Sequence, residues 1–117
     1  MQYLLMIFED PAELERMTDA ERRGLFEAYR TFTSRIVQAG NFRAGDKLEP
    51  VTTATTIRLR SGKRLVVDGP FAETKEHLVG YYLIDAKDLD EALSIAGRIP
   101  SASIGAVEVR PVHRFER

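Results

Sequence analysis

Residues 2–8 (QYLLMIF) are apolar at every position from Tyr3 onward. In an extended chain Tyr3, Leu5 and Ile7 point to one side and Leu4, Met6 and Phe8 to the other, so this stretch predicts a strand that is covered on both faces. Residues 9–17 are charged and interrupted by Pro11, which predicts a connection with room for one helical turn. Thr18-Asp19-Ala20-Glu21 is a capping box, in which the Thr18 hydroxyl and the Glu21 carboxylate satisfy free amides at a helix start. Leu25, Ala28, Tyr29, Phe32, Ile36 and Ala39 then recur at helical spacing, and Gly40 suits the left-handed stop. Residues 52–60 are rich in β-branched side chains, and Ser61-Gly62-Lys63 turns them into residues 64–68, an antiparallel hairpin. Residues 79–85 (VGYYLID) predict another strand. Asp88-Leu89-Asp90-Glu91 repeats the capping logic for a second helix, whose buried stripe would be Leu89, Ala92, Leu93 and Ala96, and Pro100 ends it. Residues 106–112 predict a last strand with Val107 and Val109 on one side.

The order β-α-β-β-α-β, with extra strand material around residues 42–50, predicts an α+β fold of the ferredoxin-like kind: an antiparallel sheet with both helices on one face. The other face of such a sheet needs a cover, because residues 2–8 are apolar on both sides and Tyr81, Tyr82, Leu83 and Ile84 follow one another. A second copy of the sheet supplies that cover in a face-to-face homodimer; the alternative is that residues 41–50 fold over it. No repeat, low-complexity stretch or linker divides the chain, so residues 1–117 are expected to form one domain.

Composition narrows the chemistry. The 117 residues match the usual size of a domain that buries its own core. The absence of cysteine excludes disulfides, thiolate metal sites and a cysteine nucleophile. Lys plus Arg number 17 against 18 for Asp plus Glu, so no global field draws the chain to nucleic acid or to an anionic membrane. The longest apolar run, residues 3–8, is too short to span a bilayer, and no basic leader or cleavage site is present, so a cytoplasmic location is expected.

Only two histidines occur, His77 and His113, and neither has metal-ligand spacing, so neither a metal nor a cofactor is expected. No nucleophile elbow, phosphate-binding loop or dinucleotide fingerprint appears. Tyr81 and Tyr82 are candidates for stacking on a ligand, although strand aromatics more often serve the core. The unusual stretch is Asp68-Gly69-Pro70-Phe71-Ala72-Glu73-Thr74-Lys75-Glu76. A strand delivers Asp68 to its end and Gly69-Pro70 forces a sharp exit. Asp68 is the candidate catalytic carboxylate, a base or polar anchor oriented by Lys75 or an arginine, and Lys75 is a candidate binding residue. The competing use of Asp68 is an Asx-type turn, its side chain accepting from backbone amides.

The segment VVDGPFAETKEHLVGYYLIDAKDLDEALSIAGRIPSASIGAVEVRPV resembles the signature half of the DGPF branch of the YCII-related proteins, the tetrapeptide being residues 68–71. The YLLMIF opening, the helix ending in QAG and the TATTIRLRSGKRLVVDGPF run extend the resemblance over nearly the whole chain. It implies a ferredoxin-like fold in a dimeric α/β-barrel arrangement. Two functions compete: a small-molecule enzyme or binder with its pocket between helix and sheet near Asp68, suggested by a carboxylate, a lysine and tyrosines grouped near strand ends, or, as the resemblance implies, a non-catalytic regulatory partner of an extracytoplasmic-function sigma factor, beside whose genes relatives often lie. A third use of the motif is to shape the dimer edge alone. Some relatives have a proposed His–Asp pair in a dimer cleft, with the histidine on the first helix. Here residues 18–39 contain no histidine, and Ala28-Tyr29-Arg30 occupies that part of the helix. The pair does not carry over, and His77 is no evident substitute. What carries over is Asp68, Gly69, Pro70 and Phe71 with Glu73, Thr74 and Lys75, as the place to seek a site.

Overall fold

The alternation in the first strand sets the architecture. In the computed structural model, which describes residues 1–115, β1 (Gln2–Glu9) buries Tyr3, Leu5, Ile7 and Glu9 and leaves Leu4, Met6 and Phe8 half-buried on the other side. Three further elements follow it: α1 (Pro11–Glu15), α2 (Asp19–Gln38) and the strand β2 (Phe42–Lys47). The remainder is β3 (Thr55–Arg60), β4 (Lys63–Asp68), β5 (His77–Asp85), α3 (Leu89–Ala96) and β6 (Ala106–Pro111). β1 is central, antiparallel to both β5 and β6, and β2 pairs antiparallel with the far side of β5, giving the order β2-β5-β1-β6. Phe32 and Ile36 of α2 and Ala92, Ile95 and Ala96 of α3 pack with Tyr3, Leu5, Ile7, Tyr82 and Ile84 in one core, so both helices cover the same face. This is an α+β fold with the ferredoxin-like strand order.

Local signals hold where they are strongest. Thr18 and Glu21 make both halves of the capping box, and Asp88 caps α3 by accepting from the Glu91 amide. The connection after β1 contains α1, capped by Asp10 with Pro11 in its first turn. The hairpin turn at Ser61-Gly62 has positive φ at both residues, the type I′ geometry whose twist matches paired strands.

Three expectations change. The second strand of the sheet is β2, not the 52–68 hairpin, which pairs only with itself as a separate two-stranded sheet. β2 reads FRAGDK, with no β-branched residue to announce it. Its place comes from packing: a Cβ on Gly45 would lie 2.7 Å from Cδ1 of Tyr82, so only glycine lets β2 approach that ring. The stripe on α3 is Ala92, Ile95 and Ala96, continued by Ile99, while Leu89 and Leu93 are exposed; helical spacing fits both sets, and contact with the sheet selects between them. On α2, Ala28 and Ala39 are likewise exposed.

Residues 42–47 extend the sheet edge instead of folding over its open face. That face carries the cross-strand pairs Leu4–Leu83, Met6–Tyr81 and Phe8–Leu78, an apolar ridge opposite the helices. No helix among the described residues is long and apolar enough to cross a membrane.

Candidate functional site

The C-terminal end of β1 gathers most of the polar chemistry. Glu9 is in phase with Tyr3, Leu5 and Ile7, so the strand carries its carboxylate into the helix-covered layer, where it is 8% exposed. A buried carboxylate needs hydrogen-bond donors to offset its lost hydration. Ser101, fully buried in the 3-10 turn Pro100–Ser103, donates its hydroxyl proton to Glu9 Oε2 and accepts from the Tyr29 hydroxyl of α2 at 2.5 Å. Two hydrogen bonds in series thus run from Tyr29 through Ser101 to the carboxylate. Burial pushes the Tyr29 phenol up to about 12; the Ser101 hydrogen bond opposes that shift and the Glu9 charge adds to it. Across the strand pair Glu9 stands opposite His77, so the imidazole lies on the same face of the sheet.

One residue further, Asp10 turns to the other side of the strand end. Its Oδ1 accepts from the Ala12 amide, and its Oδ2 lies 3.8 Å from Lys75 Nζ, which arrives along the segment after β4. The lysine side chain is 87% exposed and the aspartate 14%, so the pair contributes little to stability. It stands at a cleft of about 690 Å³ whose apolar lining includes Phe8, Ile104, Ala106 and Val107 and whose charged lining is Asp10, Glu13, Lys75, Glu76 and Glu108. A second groove of about 420 Å³ lies between α2 and residues 98–100, with Phe32 and Pro100 beside Arg35 and Arg98.

The four residues singled out in the sequence fall in different places. Lys75 lines the cleft. Asp68 ends β4, exposed, opposite Thr55. Among the described residues nothing hydrogen-bonds to its side chain; the turn there is held by Gly69 N–H to Ala54 O at 2.7 Å and Thr56 Oγ1 to Gly69 O at 2.8 Å. Gly69 has φ 112°, which suits glycine. The turn expected at Asp68 is therefore present, but its hydrogen bonds come from Thr56 and the backbone. Tyr82 is a core residue, its ring edge-on to Phe32 at 5.2 Å and its hydroxyl 2.6 Å from Thr33 Oγ1. Burial raises its pKa, against the Thr33 hydrogen bond. Tyr81 lies on the open face and donates to Asp46 Oδ2 at 2.6 Å, a bond that raises the phenol pKa. The cleft thus collects Lys75 and not Asp68, Tyr81 or Tyr82. Sequence reasoning missed Glu9, Asp10 and Ser101; the available signal was Glu9, a carboxylate in the buried phase of an apolar strand. Among the described residues no three histidine or carboxylate side chains lie close enough to hold a metal ion.

Comparison with known proteins adds three findings. The model of the YCII-related domain family matches residues 1–116. An uncharacterised protein of Rhizobium meliloti is 38% identical over 118 residues, an alignment covering 99% of this chain and 95% of that one. The solved structure of 5-chloro-2-hydroxyhydroquinone dehydrochlorinase (TftG) from Burkholderia phenoliruptrix, in complex with 2,5-dihydroxybenzoquinone, superposes with a TM-score of 0.57 at 15% identity, over 98% of this chain and 96% of that chain. At that identity the likeness is one of fold.

Proposed function

This chain belongs to the YCII-related domain family, and from that membership and the geometry at the end of β1 we propose that it is a small-molecule enzyme or binder whose ligand occupies the cleft beside Lys75. The observation that carries the reading is the arrival of Lys75, from the segment after Asp68-Gly69-Pro70-Phe71, within 3.8 Å of Asp10 at a cleft with an apolar lining. A concave apolar surface with a few placed polar groups is the usual form of a small-ligand site. Lys75 supplies the cation that meets an oxygen of the ligand, and Asp10 holds its ammonium toward the cleft. Asp68, exposed and free of hydrogen bonds within the described residues, keeps its carboxylate available at the hairpin's base. A fold neighbour that is a dehydrochlorinase, solved with a small hydroxylated quinone, supports a small-molecule role for this scaffold.

The assembly in this reading is a homodimer joined through the open sheet face, in a dimeric α/β-barrel arrangement. It is supported by Leu4, Met6, Phe8, Tyr81 and Leu83, which line a face that neither helix covers.

A thermal-shift screen against metabolites tests the site. The expected result is a stabilising compound whose effect is lost in Lys75→Ala and reduced in Asp10→Asn. Lys75 is exposed, so its replacement leaves the melting temperature of the free protein nearly unchanged. A compound that stabilises the Lys75→Ala variant as well as the parent would contradict this placement of the site.

A further inference from the structure

Two arginines flank an apolar groove that contains no acid. The groove of about 420 Å³ between α2 and residues 98–100 is lined by Ala28, Thr31, Phe32, Arg35, Arg98 and Pro100. Helical spacing accounts for the α2 wall, because positions 28, 31, 32 and 35 are three and four residues apart and share one face. The opposite wall is the chain just after α3. Ile99 is fully buried there and anchors the stretch, leaving Arg98 exposed and Pro100 half-buried on either side of it.

Both guanidinium groups keep donors free. Among the described residues neither Arg35 nor Arg98 pairs with a carboxylate. Arg98 donates only from Nε, to the Ser94 carbonyl at 3.3 Å. Thr31 is the one other polar side chain in the lining. Two like charges beside apolar walls repel, and such walls weaken that repulsion less than open water does. An anion between them removes it.

The lining selects the kind of anion. An arginine fork meets both oxygens of a carboxylate at once, and Phe32 and Pro100 offer an apolar floor for a ring. A groove of this volume falls within the range of small-ligand sites. A bare inorganic anion leaves that floor unused, and an uncharged ring leaves the guanidinium groups unpaired. We propose that this groove binds a small organic monocarboxylate, its charge held between Arg35 and Arg98 and its apolar body laid on Phe32 and Pro100. The site is separate from the Lys75 cleft. Its occupant ties α2 to the turn that carries Ser101, whose hydroxyl already joins Tyr29 to Glu9.

Backbone-amide NMR titration of the full chain at constant ionic strength tests this with three probes. Benzoate carries both features, benzyl alcohol has the ring without the charge, and inorganic phosphate has charge without the ring. Benzoate is expected to shift Thr31, Phe32, Arg35, Arg98 and Ile99 with a Kd of about 1 mM, as so small a ligand allows. The other two probes bind about tenfold more weakly or less. Arg35→Gln and Arg98→Gln each weaken benzoate about tenfold, as loss of one charge-assisted contact does. Ala28→Leu keeps both charges but fills the groove from an exposed helix position, and it weakens benzoate by at least as much. All three altered side chains are exposed, and the same spectra report that each variant is folded. Lys75→Ala binds benzoate as the parent does, whether or not the cleft has a ligand of its own. The proposal is overturned by the absence of saturable shifts at the groove, by phosphate binding as tightly as benzoate, or by undiminished binding in the glutamine variants or Ala28→Leu. Loss of benzoate binding in Lys75→Ala overturns it as well, by moving the ligand to the cleft.

Discussion

At the scale of single residues, the group that organises the end of β1 is the Ser101 hydroxyl, which donates to Glu9 and accepts from Tyr29. Ser101→Ala strips a buried carboxylate of that donor and a half-buried phenol of its acceptor. Equilibrium unfolding in urea is expected to show a loss of about 1–3 kcal/mol, and Ser101→Thr a smaller one if the added methyl fits. The phenol also makes a pH signature. Its folded pKa, about 12, lies above the ordinary value of 10, so the neutral form is favoured by folding. That stability is complete below pH 10 and lost as pH rises through 12. Tyr82 is raised in the same direction by burial, so its contribution too is lost on the alkaline side. Tyr29→Phe should therefore flatten part of the alkaline decline without abolishing it; an unchanged slope would remove Tyr29 from the account. Thr18 and Glu21 were legible in the sequence because a capping box is closed within four residues. Residues 9, 29 and 101 were not, since no local pattern joins them and their meeting depends on strand parity and helix placement.

At the scale of elements, the hairpin, the two capped helices and strand material around residues 42–50 follow from turn chemistry and residue pattern, whereas the place of β2 as the sheet's second strand does not. Phe42 apart, its residues have weak β-propensity, and its membership of the sheet is decided by Tyr82, β5 and the close approach that Gly45 allows. The start of β6 depends on a similar approach. A Cβ on Gly105 would lie 2.1 Å from the carbonyl oxygen of Phe8, a backbone atom that cannot move aside. Gly105→Ala must therefore push the start of β6 away from β1, at a cost of about 1–3 kcal/mol. Because Ile104 and Ala106 line the cleft, the same substitution should also weaken any ligand found there. A variant with parental stability would show that the strand end has more freedom than the pairing of Phe8 with Ala106 implies.

At the scale of the whole molecule, the strand order and the one-sided placement of the helices were legible in outline, because apolar strands and amphipathic helices leave few arrangements. The separate standing of the β3–β4 hairpin was not. A net charge of −1 averages Arg58, Arg60, Lys63 and Arg64 of that hairpin, opposed by Asp68 alone, with the rest of the chain, and only the hairpin's separation in space reveals the asymmetry. The candidate site was legible in one residue, Lys75; the cleft around it is assembled from β1, α1, the segment after β4 and the start of β6, which are distant in sequence. The central claim is that a small molecule binds in that cleft. The most direct measurement is a backbone-amide NMR titration with a compound from the thermal-shift screen. The account predicts shifts concentrated at Phe8, Asp10, Thr74, Lys75 and Val107, fading in Lys75→Ala. Shifts confined to the groove of Arg35 and Arg98, or to Tyr81 and the open face, would contradict it.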